Sequence, residues 1–177
     1  MLEAVKDIFR RRYLRKFASE VPTGIIPISQ VRSAVTFIDV EDTSFDKCKV
    51  DVQAFYREHG IKGEIFFFDF RKIDSTERLI TSITNTILKR DLSWCGKPSQ
   101  EKINLMLGSD PDLFISLVRS RDFPIEFMAK CSRARFKIGR LQIPGDTFDL
   151  VVSEPEDKVL SEAEIFAGVK VYLGKIG

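Results

Sequence analysis

Residues 112–140, DLFISLVRSRDFPIEFMAKCSRARFKIGR, decide the fold. The run Leu113-Phe114-Ile115-Ser116-Leu117-Val118 is almost wholly apolar, which suits a strand buried on both faces of a parallel sheet. Arg119 to Asp122 is a polar break, and Pro124 follows where the first turn of a helix tolerates a missing N–H. Phe127, Met128 and Cys131 recur at helical spacing, and Arg135-Phe136-Lys137-Ile138, closed by Gly139, predicts the next strand. A strand, a helix and a second strand in about 28 residues is close to the minimum for a right-handed parallel crossover.

The same grammar extends in both directions. Ala34-Val35-Thr36-Phe37-Ile38 predicts a strand ending at Asp39. Thr43 or Ser44 is placed to cap a helix whose inner face is Phe45, Cys48, Val52, Phe55 and Tyr56, and Gly60 stops it. Glu64-Ile65-Phe66-Phe67-Phe68 is a second strand running into Asp69. Between Ile73 and Trp94, isoleucines at helical spacing alternate with β-branched threonines, so helix and strand compete. The expectation is a short helix near 75–82 and a third strand around 86–93. Gly96-Lys97-Pro98 makes a turn, and Ser99 is placed to cap a helix carrying Ile103, Leu105, Met106 and Leu107. Pro144-Gly145-Asp146 turns the chain into a sixth strand over 148–152. Ser161 with Glu164 is a capping box for a last helix, with Leu160 and Ile165 as its hydrophobic staple. The fold class predicted is α/β, a three-layer sandwich with a mostly parallel, Rossmann-like sheet of about six strands.

Composition agrees with one globular domain: 177 residues, 44% hydrophobic, with fifteen Phe against one Trp and three Tyr. Such rings fill a core without needing hydrogen-bond partners. Cys48, Cys95 and Cys131 are odd in number and widely spaced, which fits neither a disulfide framework nor a CxxC metal site. Cys48 and Cys131 fall on core-facing helical positions, and Cys95, between Trp94 and Gly96, is expected to be exposed. No stretch reads as a transmembrane helix or a secretory signal, so the expected location is cytoplasmic.

Charge is concentrated at one end. Lys6, Arg10, Arg11, Arg12, Arg15 and Lys16 face only Glu3, Asp7 and Glu20 within residues 1–20, while the remainder holds 22 basic against 23 acidic residues. Residues 1–20 therefore read as a basic amphipathic helix with Leu2, Val5, Phe9, Tyr13 and Phe17 as its stripe, 21–32 as a linker, and 33–177 as the domain. Three roles stand open for those basic residues: a solvated face of a helix on the domain edge, contact with an anionic membrane surface or a protein partner, and nucleic-acid contact. The last is disfavoured because no further basic patch or RNA-type aromatic motif accompanies it.

Ligands of open α/β sheets gather at the strands' carboxyl ends. The candidate ligand-binding residues there are Asp39, Asp69, Ser116 and Arg119. Asp39 and Asp69 close adjacent strands and are the nearest approach to a paired-carboxylate Mg²⁺ site, although strand-end aspartates commonly cap the loop that follows. Asp69 also stands where dinucleotide-binding folds place a ribose-binding acid. However, the turn after the first strand, Asp39-Val40-Glu41-Asp42-Thr43-Ser44, has acids and no glycine where phosphates would approach. Gly96-Lys97-Pro98-Ser99 lacks the upstream glycine of a P-loop. His59 is the sole histidine, at the end of a surface helix, and no G-x-S-x-G elbow occurs. Neither a metal nor a cofactor is expected.

Two resemblances follow from these residues. Asp91-Leu92-Ser93-Trp94-Cys95-Gly96-Lys97-Pro98, the Asp112–Leu117 strand and Ser132-Arg133-Ala134-Arg135-Phe136-Lys137-Ile138-Gly139 resemble an uncharacterised Bacteroidetes family, a domain of unknown function. That resemblance implies a lineage and an intracellular setting, and no activity. Residues 112–140 are also similar to the N-terminal Rossmann half of heptosyltransferase-like glycosyltransferases, in which a second Rossmann domain helps to hold the sugar nucleotide. Ser116 stands where the strand of those enzymes carries a further acid. The expected function is a non-enzymatic α/β protein that binds a partner or small ligand, with the basic helix as docking element. The alternative is an enzyme or nucleotide-sugar-binding remnant using the strand ends.

Overall fold

The computed structural model describes residues 1–72 and 79–177. Among the described residues, six strands lie in one sheet: β1 (Ser33–Asp39), β2 (Lys62–Asp69), β3 (Thr86–Leu88), β4 (Leu113–Ser116), β5 (Phe136–Gly139) and β6 (Leu150–Val151). Every pairing is parallel. Their order is β3-β2-β1-β4-β5-β6, the doubly wound arrangement that grows outward on both sides of β1. Among the described residues, five helices cover the sheet: α1 (Leu2–Phe17), α2 (Phe45–Glu58), α3 (Gln100–Leu107), α4 (Phe123–Cys131) and α5 (Glu162–Lys175).

Strand alternation sorts the apolar residues into two cores. Ala34 and Ile38 of β1, Ile65 and Phe67 of β2, Leu113 and Ile115 of β4, and Phe136 and Ile138 of β5 meet α2 and α5. Val35, Phe37, Phe66, Phe68 and Phe114 face the other way, toward α3 and α4. There Phe37 lies 5.5, 5.3 and 5.5 Å, centroid to centroid, from Phe66, Phe68 and Phe114. Truncating such a fully buried ring costs about 3–5 kcal/mol.

Local chemistry sets the boundaries. Gly60 at φ +64° ends α2, and the Ser99 hydroxyl accepts from Lys102 N–H at the start of α3. Pro124 occupies the first turn of α4. At α5 both halves of the capping box form between Ser161 and Glu164. Ser44 begins α2, but its hydroxyl donates to Asp42 (2.7 Å) and accepts from the Ala163 N–H (3.0 Å), so it joins α2 to α5. At the amino ends of the strands, the Asp112 carboxylate accepts from the N–H groups of Arg32 and Ser33 and from the Arg135 guanidinium. Burial opposes ionisation there, yet these donors outweigh it and hold the carboxyl below its ordinary range.

Four expectations are corrected. The third strand spans only Thr86–Leu88, because the Asp91 carboxylate accepts from Leu88 N–H (2.8 Å) and turns the chain into a short 3₁₀ helix over Lys89–Asp91. Of the helix expected near 75–82, residues 75–78 lie outside the described residues and 79–82 are not helical. The sixth strand is a two-residue ladder rather than five residues. Cys95 is fully buried. Its turn is closed by the Leu92–Pro98 bridge and by Gly96 at φ +89°, and this turns the Trp94 ring outward in its place.

Helix α1 has no fully buried residue. Tyr13, Leu14 and Phe17 rest against the phenylalanine core, and Phe17 meets Phe127 edge-on at 5.8 Å. The Ser19 N–H donates to the Lys130 carbonyl in the last turn of α4.

Candidate functional site at the strand ends

The carboxyl ends of the central strands hold a buried polar network. Arg140, directly after β5, is only 1% exposed. Its Nη2 donates to Glu154 at 2.9 Å and to the Leu160 carbonyl, and its Nη1 reaches the Leu117 carbonyl at 3.4 Å. Glu154 also receives Arg119 (2.8 Å) and the Leu160 N–H (2.9 Å). The Leu160 N–H first, then the two arginines, pull the Glu154 carboxyl down to about 2. Glu162, the first residue of α5, is 0% exposed and accepts from the Asp39 N–H at 2.8 Å. Burial pushes its carboxyl up to about 9; the Asp42 and Asp39 carboxylates push the same way, against the Asp39 N–H and Arg140. Glu162 Oε2 and Arg140 Nε are buried with no hydrogen-bond partner among the described residues.

The four residues singled out by sequence meet different fates in this network. Asp39 is half-buried, accepts from the Glu41 N–H, and has its carboxyl raised first by burial. Asp69 is 1% exposed and gripped by the Arg71 guanidinium at 2.8 and 2.7 Å. Asp39 pairs in register with Phe68 rather than with Asp69, so alternation sends the two carboxylates to opposite faces of the sheet. They do not form one paired site. Ser116 is buried between Phe37 and Gly139 in register, and Arg119 is an exposed partner of Glu154. Among the described residues, no group of three or more His, Cys, Asp or Glu is placed to hold a metal ion.

Sequence reasoning did not single out Glu162. Its position in the first turn of a helix resembles that of any acid favoured by the helix dipole, and only the tertiary fold reveals its burial. Arg140 carried one signal, a charge directly after a strand and its closing glycine.

Cavities among the described residues lie elsewhere. One of about 530 Å³ runs along the outer edge of β2, lined by Tyr56, Gly63, Ile65, Phe67 and Asn85 among others. The second, about 750 Å³, lies between the carboxyl end of α1, α3 and Cys131. Neither is lined by Asp39, Asp69, Ser116 or Arg119.

A family model described as "Family of unknown function (DUF6913)" matches residues 6–176. The chain belongs to that family. Searches of curated proteins and of solved structures each return no match. The matched span of this DUF6913 chain takes in most of α1 as well as the whole sheet. Within α1, Lys6 is ion-paired to Glu3 (2.6 Å), while Arg10 is ion-paired to Asp7 (3.1 Å) and donates to the Cys95 carbonyl (2.8 Å). The Arg10 guanidinium also lies 5.3 Å from the Phe123 ring. Two of the six basic residues are therefore ion-paired within α1, and Arg10 also ties the helix to the Cys95 turn. No helix among the described residues of this DUF6913 chain is long and apolar enough to cross a membrane.

Proposed function

We propose that this chain is a non-catalytic α/β module that binds its partner on its surface, with α1 as the docking element, rather than a ligand at the strand ends. One observation carries the reading: at the carboxyl ends of β1 and β4, where doubly wound sheets take their ligands, the chain's own buried side chains engage the backbone, Glu162 accepting from the Asp39 N–H and Arg140 reaching the Leu117 carbonyl. A ligand entering there would have to displace the Arg140–Glu154 pair, and breaking a buried pair costs about 3–5 kcal/mol. The acid-lined turn from Asp39 to Asp42 repels phosphates besides.

The test is a thermal-shift panel of nucleotides, sugar nucleotides and divalent metals. A ligand at a hundred times its dissociation constant stabilises by about 2.7 kcal/mol, roughly 5–10 °C for a chain of this length. No shift is expected. A shift with a sugar nucleotide or metal that disappears in Asp39→Asn would overturn the reading in favour of the second one, a nucleotide-sugar-binding remnant. That alternative is favoured by the raised carboxyl of Asp39 at the end of β1.

A further inference from the structure

We propose that the outward face of α1, together with Trp94, docks onto an anionic lipid bilayer. The inference rests on the reading that binding occurs on this surface, and it names the partner. At 100° per residue, Val5, Ile8, Arg11, Arg12 and Arg15 fall within an arc of about 120°, opposite the side that Tyr13, Leu14 and Phe17 turn to the core. All five outward residues are exposed. No acid lies on that arc: Glu3 and Asp7 fall outside it, where they engage Lys6 and Arg10. Arg11, Arg12 and Arg15 have no ion-pair partner among the described residues, so three cations stand free on one face.

The apolar side of the same patch is continuous with them. Val5 is 38% and Ile8 65% exposed, and Trp94 is 54% exposed while stacked edge-on against Phe9 at 5.2 Å. Large aliphatic groups, a tryptophan on a rigid turn and flanking arginines are the chemistry of a helix that lies in a bilayer interface. The arginines reach lipid phosphates while Val5, Ile8 and Trp94 enter the acyl boundary. A protein groove would instead meet three unpaired cations on long, mobile side chains, and ordering them is costly. A nucleic acid would use the cations but leave Val5 and Ile8 in water.

The experiment uses the full chain and two vesicle types, pure phosphatidylcholine and phosphatidylcholine with about a third phosphatidylglycerol. Binding is read by co-sedimentation and by the emission of Trp94, the only tryptophan. Partition to the anionic vesicles, a blue shift of Trp94, and loss of both in high salt are expected. Arg11→Gln/Arg12→Gln/Arg15→Gln lowers the partition coefficient ~100-fold, at about fivefold per arginine near an anionic surface. Ile8→Gln lowers it without changing the melting temperature, because that side chain is exposed. The proposal is overturned by absence of partition to the anionic vesicles, by equal binding of the triple variant, or by binding to single-stranded DNA or a protein with no vesicle binding. A nucleotide-induced thermal shift that the triple variant retains would instead sink the reading that no ligand binds at the strand ends and leave the vesicle result standing.

Discussion

Replacing Glu162 by glutamine perturbs the strand-end network at its most isolated atom. The carboxyl rises from 4.5 to about 9, chiefly because burial strips it of water. Between those two values the unfolded chain gives up a proton that the folded chain keeps, so this group's contribution is intact below about pH 4.5 and is lost as pH climbs toward 9. From 4.5 to neutrality, at 1.36 kcal/mol per unit, the loss is ~3 kcal/mol. Glutamine keeps the oxygen that accepts from the Asp39 N–H and does not titrate. Its added N–H groups meet the unpartnered space at Oε2 and return about 1 kcal/mol of the gain. Glu162→Gln is therefore expected to be more stable at pH 7 by ~2 kcal/mol, or about 4–8 °C in Tm. Melts of parent and variant from about pH 5 to pH 8 should show the gap widening as pH rises. A variant no more stable than the parent, or a gap indifferent to pH, refutes the reasoning: Glu162 would then be ionised, with Arg140 as its true counter-ion.

Lys137 offers the mirror case. It is buried on β5, its Nζ donates to the Ala129 carbonyl at 2.8 Å, and burial lowers it to about 8. Its cost is greatest below pH 8 and is relieved as pH rises toward 10.5, so Lys137→Met should raise stability at pH 7 by ~2 kcal/mol in urea melts and lose that advantage near pH 10. Asp112→Ala should destabilise by about 2–3 kcal/mol, since it orphans donors on β1 and beside β5. The loss should shrink as pH falls through the carboxylate range, where the parent's depressed carboxyl is itself protonated. Gly139→Ala should cost about 1–3 kcal/mol, because the new Cβ would lie 2.3 Å from the Phe148 ring. Adding Phe148→Leu should recover part of that cost, a non-additivity that a double-mutant cycle reads directly.

The sheet was legible because its strands are covered on both faces, so Leu113–Val118 and Glu64–Phe68 stand out as apolar runs without alternation. The caps were legible for a related reason: Ser161 and Glu164 act through neighbours in sequence. Legibility failed wherever a distant group decided the outcome. Cys95 is buried because α1 packs over its turn through Arg10 and Phe9. At the strand ends, Asp39 and Asp69 were visible as residue types, but only register shows them on opposite faces. Glu162 was invisible because its partner, the Asp39 amide, lies 123 positions earlier.

The placement of β1 at the centre of the sheet also has a consequence during synthesis. β2 pairs with β1 soon after it is made, but the other neighbour, joined at Ala34–Leu113, arrives 79 positions later. At roughly 5–20 residues per second, that edge stays unpaired for roughly 4–16 s of translation. Throughout that interval the nascent chain presents Val35 and Phe37 beside a row of unpaired amides, a template for other chains. Ribosome-bound chains stalled before residue 113 should therefore be the aggregation-prone species, and those stalled well past residue 139, with β4 and β5 clear of the exit tunnel, should not.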